Sequence, residues 1–441
     1  MEKVTTSWKE KFLYGFGDFG GNMMWSFTGA FLMQYFTDSV LISAGFLGTM
    51  MLVCRLFDGV SDMLMGLLIE NTHSKRGKAR VWFGASAIPM VLVFILLFTV
   101  PHMSMKATMV YVTVLYFLFT VILFTANNLS YHAMLSRISN DEVDQSKTSA
   151  VRCILAGLAM ALSTALAPIL LEALGGSKNP KAWVYIVIPY AVLSLITEAI
   201  CYFNIHEKPE IAAISTEKRA KGETMTGLKE LLRLPYFYIA VAIFTLNYFV
   251  TNSTQAMGVY YTRDVLGNAT YYSLFSMIPM ATMAVGLVLS PILIKRFGKR
   301  VDLIVCGVFF TLGSAISCFA PYSLAVCLIG LTVKGIGGGI LAVELFTLAP
   351  DIIRLIEKRK GIRVEGLATA ANSFGSKLGM GFGVATTGWL LDAAHYDPTA
   401  STQTEEVLRM QILGEWWLPL IGGALILICT FFWDIEKKLK G

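Results

Sequence analysis

The sequence predicts an all-α membrane protein of twelve transmembrane helices in two six-helix halves. Three observations carry that prediction. Of the 441 residues, 55% are hydrophobic and only 15% charged, with a mean hydropathy of +0.62, where a soluble protein carries roughly a quarter charged residues. The apolar residues come in runs long enough for a bilayer, which takes about 20 residues per helix. The longest polar interval falls almost at the centre of the chain. Open sheet edges and irregular chain cannot face lipid, so the spans are helices.

Hydropathy places the spans near 12–37, 44–71, 81–101, 107–135, 148–174, 182–204, 236–262, 269–295, 301–320, 323–350, 364–392 and 411–433. The first is glycine-dense and carries Asp18 in YGFGDFGGN. The second reads CRLFDGVSDMLMG at its centre, with Arg55, Asp58 and Asp62. The fourth carries Asn127, Asn128, Tyr131 and His132. Arg152 lies near the start of the fifth, and Glu172 and Glu198 lie nearer the ends of the fifth and sixth, where water is within reach. The tenth holds Lys334 and Glu344, and the eleventh holds Lys377 in NSFGSKLGMGFG. The N-terminus MEKVTTSWKEK is polar and runs into a full-length span without a small-residue cleavage site, which argues against a cleaved signal peptide.

The interval 204–235 divides the chain into an N-terminal half (1–203), a linker (204–235) and a C-terminal half (236–441). Lys and Arg fall unevenly on the two sides of the spans. One side holds Lys9, Lys11, Lys75, Arg76, Lys78, Arg80, Lys295, Arg296, Lys299, Arg300, Lys358, Arg359 and the linker. The other holds only Lys106, Lys178, Lys181, Arg263 and Arg409. The positive-inside rule then makes both termini and the linker cytoplasmic in a protein of the cell membrane. The net charge of +6 reflects these short loops rather than a nucleic-acid surface. The basic–Gly–basic turns THSKRGKAR (72–80) and KRFGKR (295–300) each follow the second span of their half, a weak internal repeat. This layout is that of the major facilitator fold, with another twelve-helix transporter fold as the alternative. All seven cysteines fall inside apolar runs without metal-ligand spacing, as small buried hydrophobes do.

Charges at mid-membrane are expensive and mark function. Arg55, Asp58 and Asp62 follow at three- and four-residue steps, so one helix face presents all three. Two carboxylates so spaced in low dielectric cannot both stay ionised cheaply, so one holds a proton unless a cation sits between them. That chemistry suits a site for H⁺ or Na⁺. Lys377 is the natural counter-charge for Asp58 or Asp62. A static ion-pair network that only holds helices together is the competing reading. Adjacent amides with an aromatic, as in Asn127, Asn128 and Tyr131, suit a hydroxyl-rich ligand and equally suit interhelical hydrogen bonding. Lys334 beside GIGGG lacks the spacing of a phosphate loop, so close helix packing explains those glycines better.

At these residues the chain resembles the glycoside–pentoside–hexuronide:cation symporters, the family of the melibiose permease and the glucuronide carrier. YGFGDFGGN with QYFTD, RLFDGVSDMLMG with RGKAR, and GIRVEGLATAANSFGSKLG carry the likeness, in the family's order and over nearly the whole chain. The resemblance implies that Asp58 and Asp62 bind the cation with Thr125, with Ser61 nearby. It implies that Lys377 links the cation and sugar sites and that Arg152 serves the sugar. Four departures stand out. Asn22 and Asn128 replace two acids of the melibiose permease, His132 replaces a stacking Trp, and Arg354 replaces the second acid of a DxxDY loop that begins at Asp351. The first two look similar to the glucuronide carrier.

The expected function is therefore symport of a sugar, glycoside or hexuronide with H⁺, favoured over Na⁺. Asp58, Asp62, Thr125 and Asn128 would hold the cation, Na⁺ at Asp58 and Asp62 if it is used. Asp18, Asn22, Asn128, His132, Arg152 and Lys377 would face the substrate. The implied partners are the substrate, the cation and the bilayer, with no nucleic acid and no further cofactor, and the monomer is expected to suffice. The alternatives are the same fold carrying a lysolipid or other amphipathic solute, and a membrane sensor or enzyme, for which a linker of about thirty residues is too short to hold a catalytic domain.

Overall fold

The computed structural model describes residues 4–208, 230–360, 365–400, 402–435 and 438. Most of the expected linker, and the GIRV that opens the third motif, lie outside the described residues. Among the described residues there is no strand and there are twelve long helices. We number them α1 (Trp8–Asp38), α2 (Ala44–Asn71), α3 (Arg80–Leu97), α4 (Met105–Ile138), α5 (Glu142–Ala173) and α6 (Pro180–Asn204). Then follow α7 (Pro235–Asp264), α8 (Tyr272–Phe297), α9 (Lys299–Phe319), α10 (Leu324–Lys360), α11 (Glu365–Ala393) and the last, α12, whose parts run from Glu405 to Phe431. Eight of these are long and apolar enough to cross a membrane by length and composition alone. The other four are α1, α2, α7 and α11. Three of them carry Asp18, the Arg55–Asp62 face and Lys377, and α7 carries the polar run Thr251–Gln255.

Contacts divide the chain into two units, Met1–Ser43 with Val53–Glu217, and Ala44–Leu52 with Lys218–Gly441. In the first, α1 packs on α5 and α6, while α3 packs on α4 and α6. In the second, α7 packs on α11 and α12, while α9 packs on α10 and α12. The pairing recurs six helices later, as an internal duplication requires. The first unit has an aromatic core in which Phe27, Phe31, Phe94, Phe98 and Trp183 meet between α1, α3 and α6, with Phe27 and Phe98 centroids 5.2 Å apart. In the second, Leu303, Cys306, Ile340, Leu341, Ile426 and Trp433 form the core.

Two helices differ from their expected spans in an informative way. α10 runs ten residues past the expected end at 350. Ile352, Leu355 and Ile356 stay buried at helical spacing, so the helix continues although its polarity rises. α5 starts six residues early, because Asp141 caps it by accepting a hydrogen bond from Val143 N at 2.9 Å. Asp144 then takes Lys11 Nζ at 2.5 Å and Thr6 Oγ1 at 2.7 Å, which ties the approach to α1 onto the start of α5.

Candidate functional site

On α2 the steps Arg55, Asp58, Asp62, Met65 and Ile69 define one face. Asp62 is half-buried and the other four are under a tenth exposed. Leu56, Val60, Met63, Leu64 and Leu67 on the other side are exposed, as lipid-facing residues are. The charged face has its greasy complement on the same helix.

Asp58 is the centre of a first cluster. Thr125 Oγ1 donates to Asp58 Oδ1 at 2.7 Å, and Ser61 Oγ donates to Thr125 Oγ1 at 3.3 Å. Arg55 Nη1 lies 3.9 Å from Asp58 Oδ2. The Arg55 guanidinium sits 4.1 Å over the Trp25 ring, and Trp25 stacks on Phe124 with centroids 4.0 Å apart. The ring face and the carboxylate together hold this cation away from lipid. Within its own unit, then, Asp58 already meets a counter-charge from its own helix. Thr125 follows directly on a π-helical stretch, Leu118–Phe124, that interrupts α4.

Asp18 is the centre of a second cluster. Arg152 Nε lies 3.5 Å from Asp18 Oδ2, and the Arg152 guanidinium donates to His132 Nδ1. A ring nitrogen that accepts makes His132 a neutral imidazole with its proton on Nε2. Asn22 Nδ2 donates to Asp18 Oδ1 at 2.8 Å. Behind the cluster, Tyr14 and Tyr131 stack at 4.5 Å, and each hydroxyl donates to the other's backbone carbonyl at 2.9 Å. Gly17 makes that stack fit, since a Cβ there would stand 2.6 Å from the Tyr131 ring.

The two clusters share the same pair of helices. Tyr14 meets Tyr131 and Trp25 meets Phe124, so α1 and α4 run antiparallel. Asp18 and Trp25 are seven residues apart on α1, as are Thr125 and His132 on α4. At 1.5 Å per residue each interval is about 10 Å. Asn22 and Asn128 lie inside these intervals, both half-buried. The result is a polar strip with acid and hydroxyl at one end, a carboxylate–guanidinium–imidazole group at the other, and amides between. Asp62 continues the α2 face by one turn. Lys377 is half-buried on α11 of the second unit.

Asn127 and Tyr131 separate from Asn128 and His132. Asn127 Nδ2 donates to Glu198 Oε2 at 3.1 Å, so this pair of α4 residues bonds helices while the other pair lies along the strip. The interhelical reading of the quartet applies to Asn127 and Tyr131. Glu198 is fully buried rather than wet, because Gly20 brings α1 so close to α6 that a Cβ would stand 2.6 Å from Ser194 O. Sequence reasoning gave no weight to Trp25, an aromatic in an apolar run, and passed over Asp302 and Glu415, each a lone acid inside a span and both buried. Among the described residues no group of three or more His, Cys, Asp or Glu is placed to hold a metal ion. A cation at Asp58 would therefore draw on the hydroxyls of Thr125 and Ser61 as well.

The sequence profile described as MFS/sugar transport protein matches residues 13–437. The chain belongs to this major facilitator sugar transport family. Its members are membrane transporters, not enzymes, and the all-helical two-unit fold agrees. The isoprimeverose transporter of Lactiplantibacillus pentosus is 27% identical over 99% of this chain and 91% of that protein. The inner membrane symporter YicJ of Escherichia coli (strain K12) is 27% identical over 93% and 88%. The glucuronide carrier protein homolog of the same organism is 23% identical over 98% and 94%. Among solved structures, a bacterial homologue of the human lysosomal transporter Spinster superposes with a TM-score of 0.70 at 11% identity, over 99% of this chain and 98% of that one. The nucleoside transporter NupG does so with 0.65 at 12% identity, over 98% and 99%. At such identities these structures speak for the major facilitator fold alone.

Proposed function

We propose that this transporter carries a sugar or glycoside across the cytoplasmic membrane with a coupling cation, acting as a monomer with both termini in the cytoplasm. The α1–α4 strip supports this most strongly, because it joins the hydroxyl of Thr125, bonded to Asp58 of α2, to an amide-lined, sugar-compatible stretch between α1 and α4. Relatives named for isoprimeverose and glucuronide transport support the substrate class. In this reading Asp58 and Asp62 take the cation with Thr125 and Asn128. Sugar hydroxyls then bind Asn22, Asn128, Asp18 and the His132 Nε2–H, with Arg152 fixing Asp18. Coupling follows if neither partly loaded form reorients easily. H⁺ is favoured over Na⁺, because Na⁺ needs several oxygens at once and a proton needs one base.

The test is substrate-induced pH change in lightly buffered cells expressing the protein, across glycosides and uronides, with and without Na⁺. Alkalinisation with one sugar, lost in Asp58→Asn and in Asp62→Asn, is the expected result. Sugar flux that needs Na⁺ and moves no protons would replace H⁺ by Na⁺. No flux with any sugar would sink the sugar reading and leave the amphipathic-solute alternative.

A further inference from the structure

The turn RGKAR (76–80) has no part in the strip, yet a closed group of contacts is built on it at the basic end of the first unit. α3 begins at Arg80 without a side-chain cap of its own, since Ala79 stands at the N-cap position. Glu207, just past the end of α6, supplies the missing acceptor. Its Oε1 accepts from Ala79 N at 2.7 Å and from Arg80 N at 2.8 Å, and its Oε2 accepts from Lys78 N at 3.0 Å. One carboxylate thus takes three successive backbone donors at a helix N-terminus, where negative charge is favoured. The Glu207 side chain is 7% exposed, and Arg137 Nη1, at the end of α4, lies 3.9 Å from Oε2. Gly77 makes room for it. Its φ is +103°, and a Cβ there would stand 2.7 Å from Glu207 Cδ.

The group continues through the next residue. Lys208 N donates to Arg137 O and Lys208 Nζ to Thr5 O, both at 2.9 Å. The Thr5 segment is in turn tied to the approach to α5. Val4 N donates to Asn140 Oδ1 at 2.8 Å, Asn140 N donates to Val4 O at 3.2 Å, and Thr6 and Lys11 both bond Asp144. On the other side, the Arg80 guanidinium donates twice to Tyr202 O, at 3.0 and 2.7 Å, and lies 4.6 Å over the Tyr202 ring. Lys78 Nζ donates to Glu70 O at 3.2 Å. The chain of contacts therefore reaches every helix of the first unit: α1 at Lys11, α2 at Glu70, α3 at Arg80, α4 at Arg137, α5 at Asp144 and α6 at Tyr202. A cap for α3 alone would need none of the links beyond 78–80.

We propose that Glu207 is a clasp, a positioning residue that holds the basic ends of these six helices together so that the first unit turns as one body during transport. This rests on the transport reading above, in which one half rocks against the other. Asp58 lies twelve residues up α2 from Glu70, about 18 Å along the helix. Loss of the clasp therefore leaves sugar and cation binding intact and slows the turning of a unit whose helix ends have come apart.

Amide hydrogen exchange of the purified full-length protein tests the clasp, and uptake tests its role. In Glu207→Ala the amides of Lys78, Ala79 and Arg80 should exchange about tenfold faster or more. So should that of Asn140, which Glu207 reaches only through Lys208 and the Thr5 segment. Uptake of the glycosides and uronides of the panel above should lose rate several-fold at unchanged KM. Faster exchange confined to 78–80 would reduce Glu207 to a cap on α3 and overturn the proposal. Unchanged exchange throughout, or an unchanged maximal rate of uptake, would overturn it too. If Glu207→Ala does not fold, Glu207→Gln keeps one acceptor oxygen and makes a milder change in the same direction. Wild-type protein that takes up no sugar of the panel would sink the sugar reading, while the exchange at Asn140 would still decide the clasp.

Discussion

Thr125 gives Asp58 its hydrogen bond of 2.7 Å, and it does so from a different helix. A hydrogen bond to a charged group contributes about 1.5–3 kcal/mol. If the cation sits there, Thr125→Val should raise the cation concentration for half-maximal uptake about 10- to 100-fold, while Thr125→Ser stays near wild type. An unchanged activation curve in Thr125→Val would remove Thr125 from the cation site. At the other end of the strip, the Arg152 side chain is engaged by Asp18 and His132. Arg152→Gln should abolish uptake of an anionic sugar and only weaken that of neutral glycosides if the guanidinium reads substrate charge. Retained uronide uptake would confine Arg152 to positioning Asp18. Asp18, Asp58 and Asp62 were legible in the sequence because a charge within an apolar run stands out. Trp25 was not, since an aromatic there is ordinary, and only the fold brings it over Arg55.

The helices were legible from hydropathy, and their closeness from glycine, but not which glycines matter. Gly286 of α8 faces α10 so closely that a Cβ would stand 2.1 Å from Ile336 O and 2.8 Å from the Gly339 backbone. Gly338, in the same GIGGG run, has nothing within 4 Å of where its Cβ would stand. Overpacking typically costs about 1–3 kcal/mol. Gly286→Ala should therefore lower the thermal unfolding midpoint, and Gly338→Ala should not. Equal midpoints for the two variants would contradict the α8–α10 packing. The sequence does not tell which glycine sits at the contact, because contact depth is a property of two helices, not of one. The same limit hid Glu198, whose place near the end of α6 suggested water, while Gly20 seals α1 over it.

At the scale of the molecule, the six-plus-six layout could be read from a central polar interval and two similar turns, and the helix pairing repeats accordingly. The buried group at Lys299 could not, since Lys299 and Glu344 are 45 residues apart in the chain and meet only through α9–α10 packing. Orientation rests on the Lys and Arg asymmetry of the loops. A fluorescent protein fused after Gly441 should be bright and an alkaline phosphatase there inactive, while phosphatase inserted between α1 and α2 should be active. The reverse pattern would invert the topology.

The π-helical stretch at Leu118–Phe124 makes α4 a helix in two phases. A π turn holds about one residue more than an α turn, so the parts before and after it are offset by roughly 100°. The stripe that seats Val112, Leu115 and Phe119 in the core is thus uncoupled from the one that aims Thr125, Asn128 and His132 along the strip. Removing a single residue within 118–124 would wind α4 into one uninterrupted coil. Its upper packing would survive, and Thr125, Asn128 and His132 below it would swing away from their present positions.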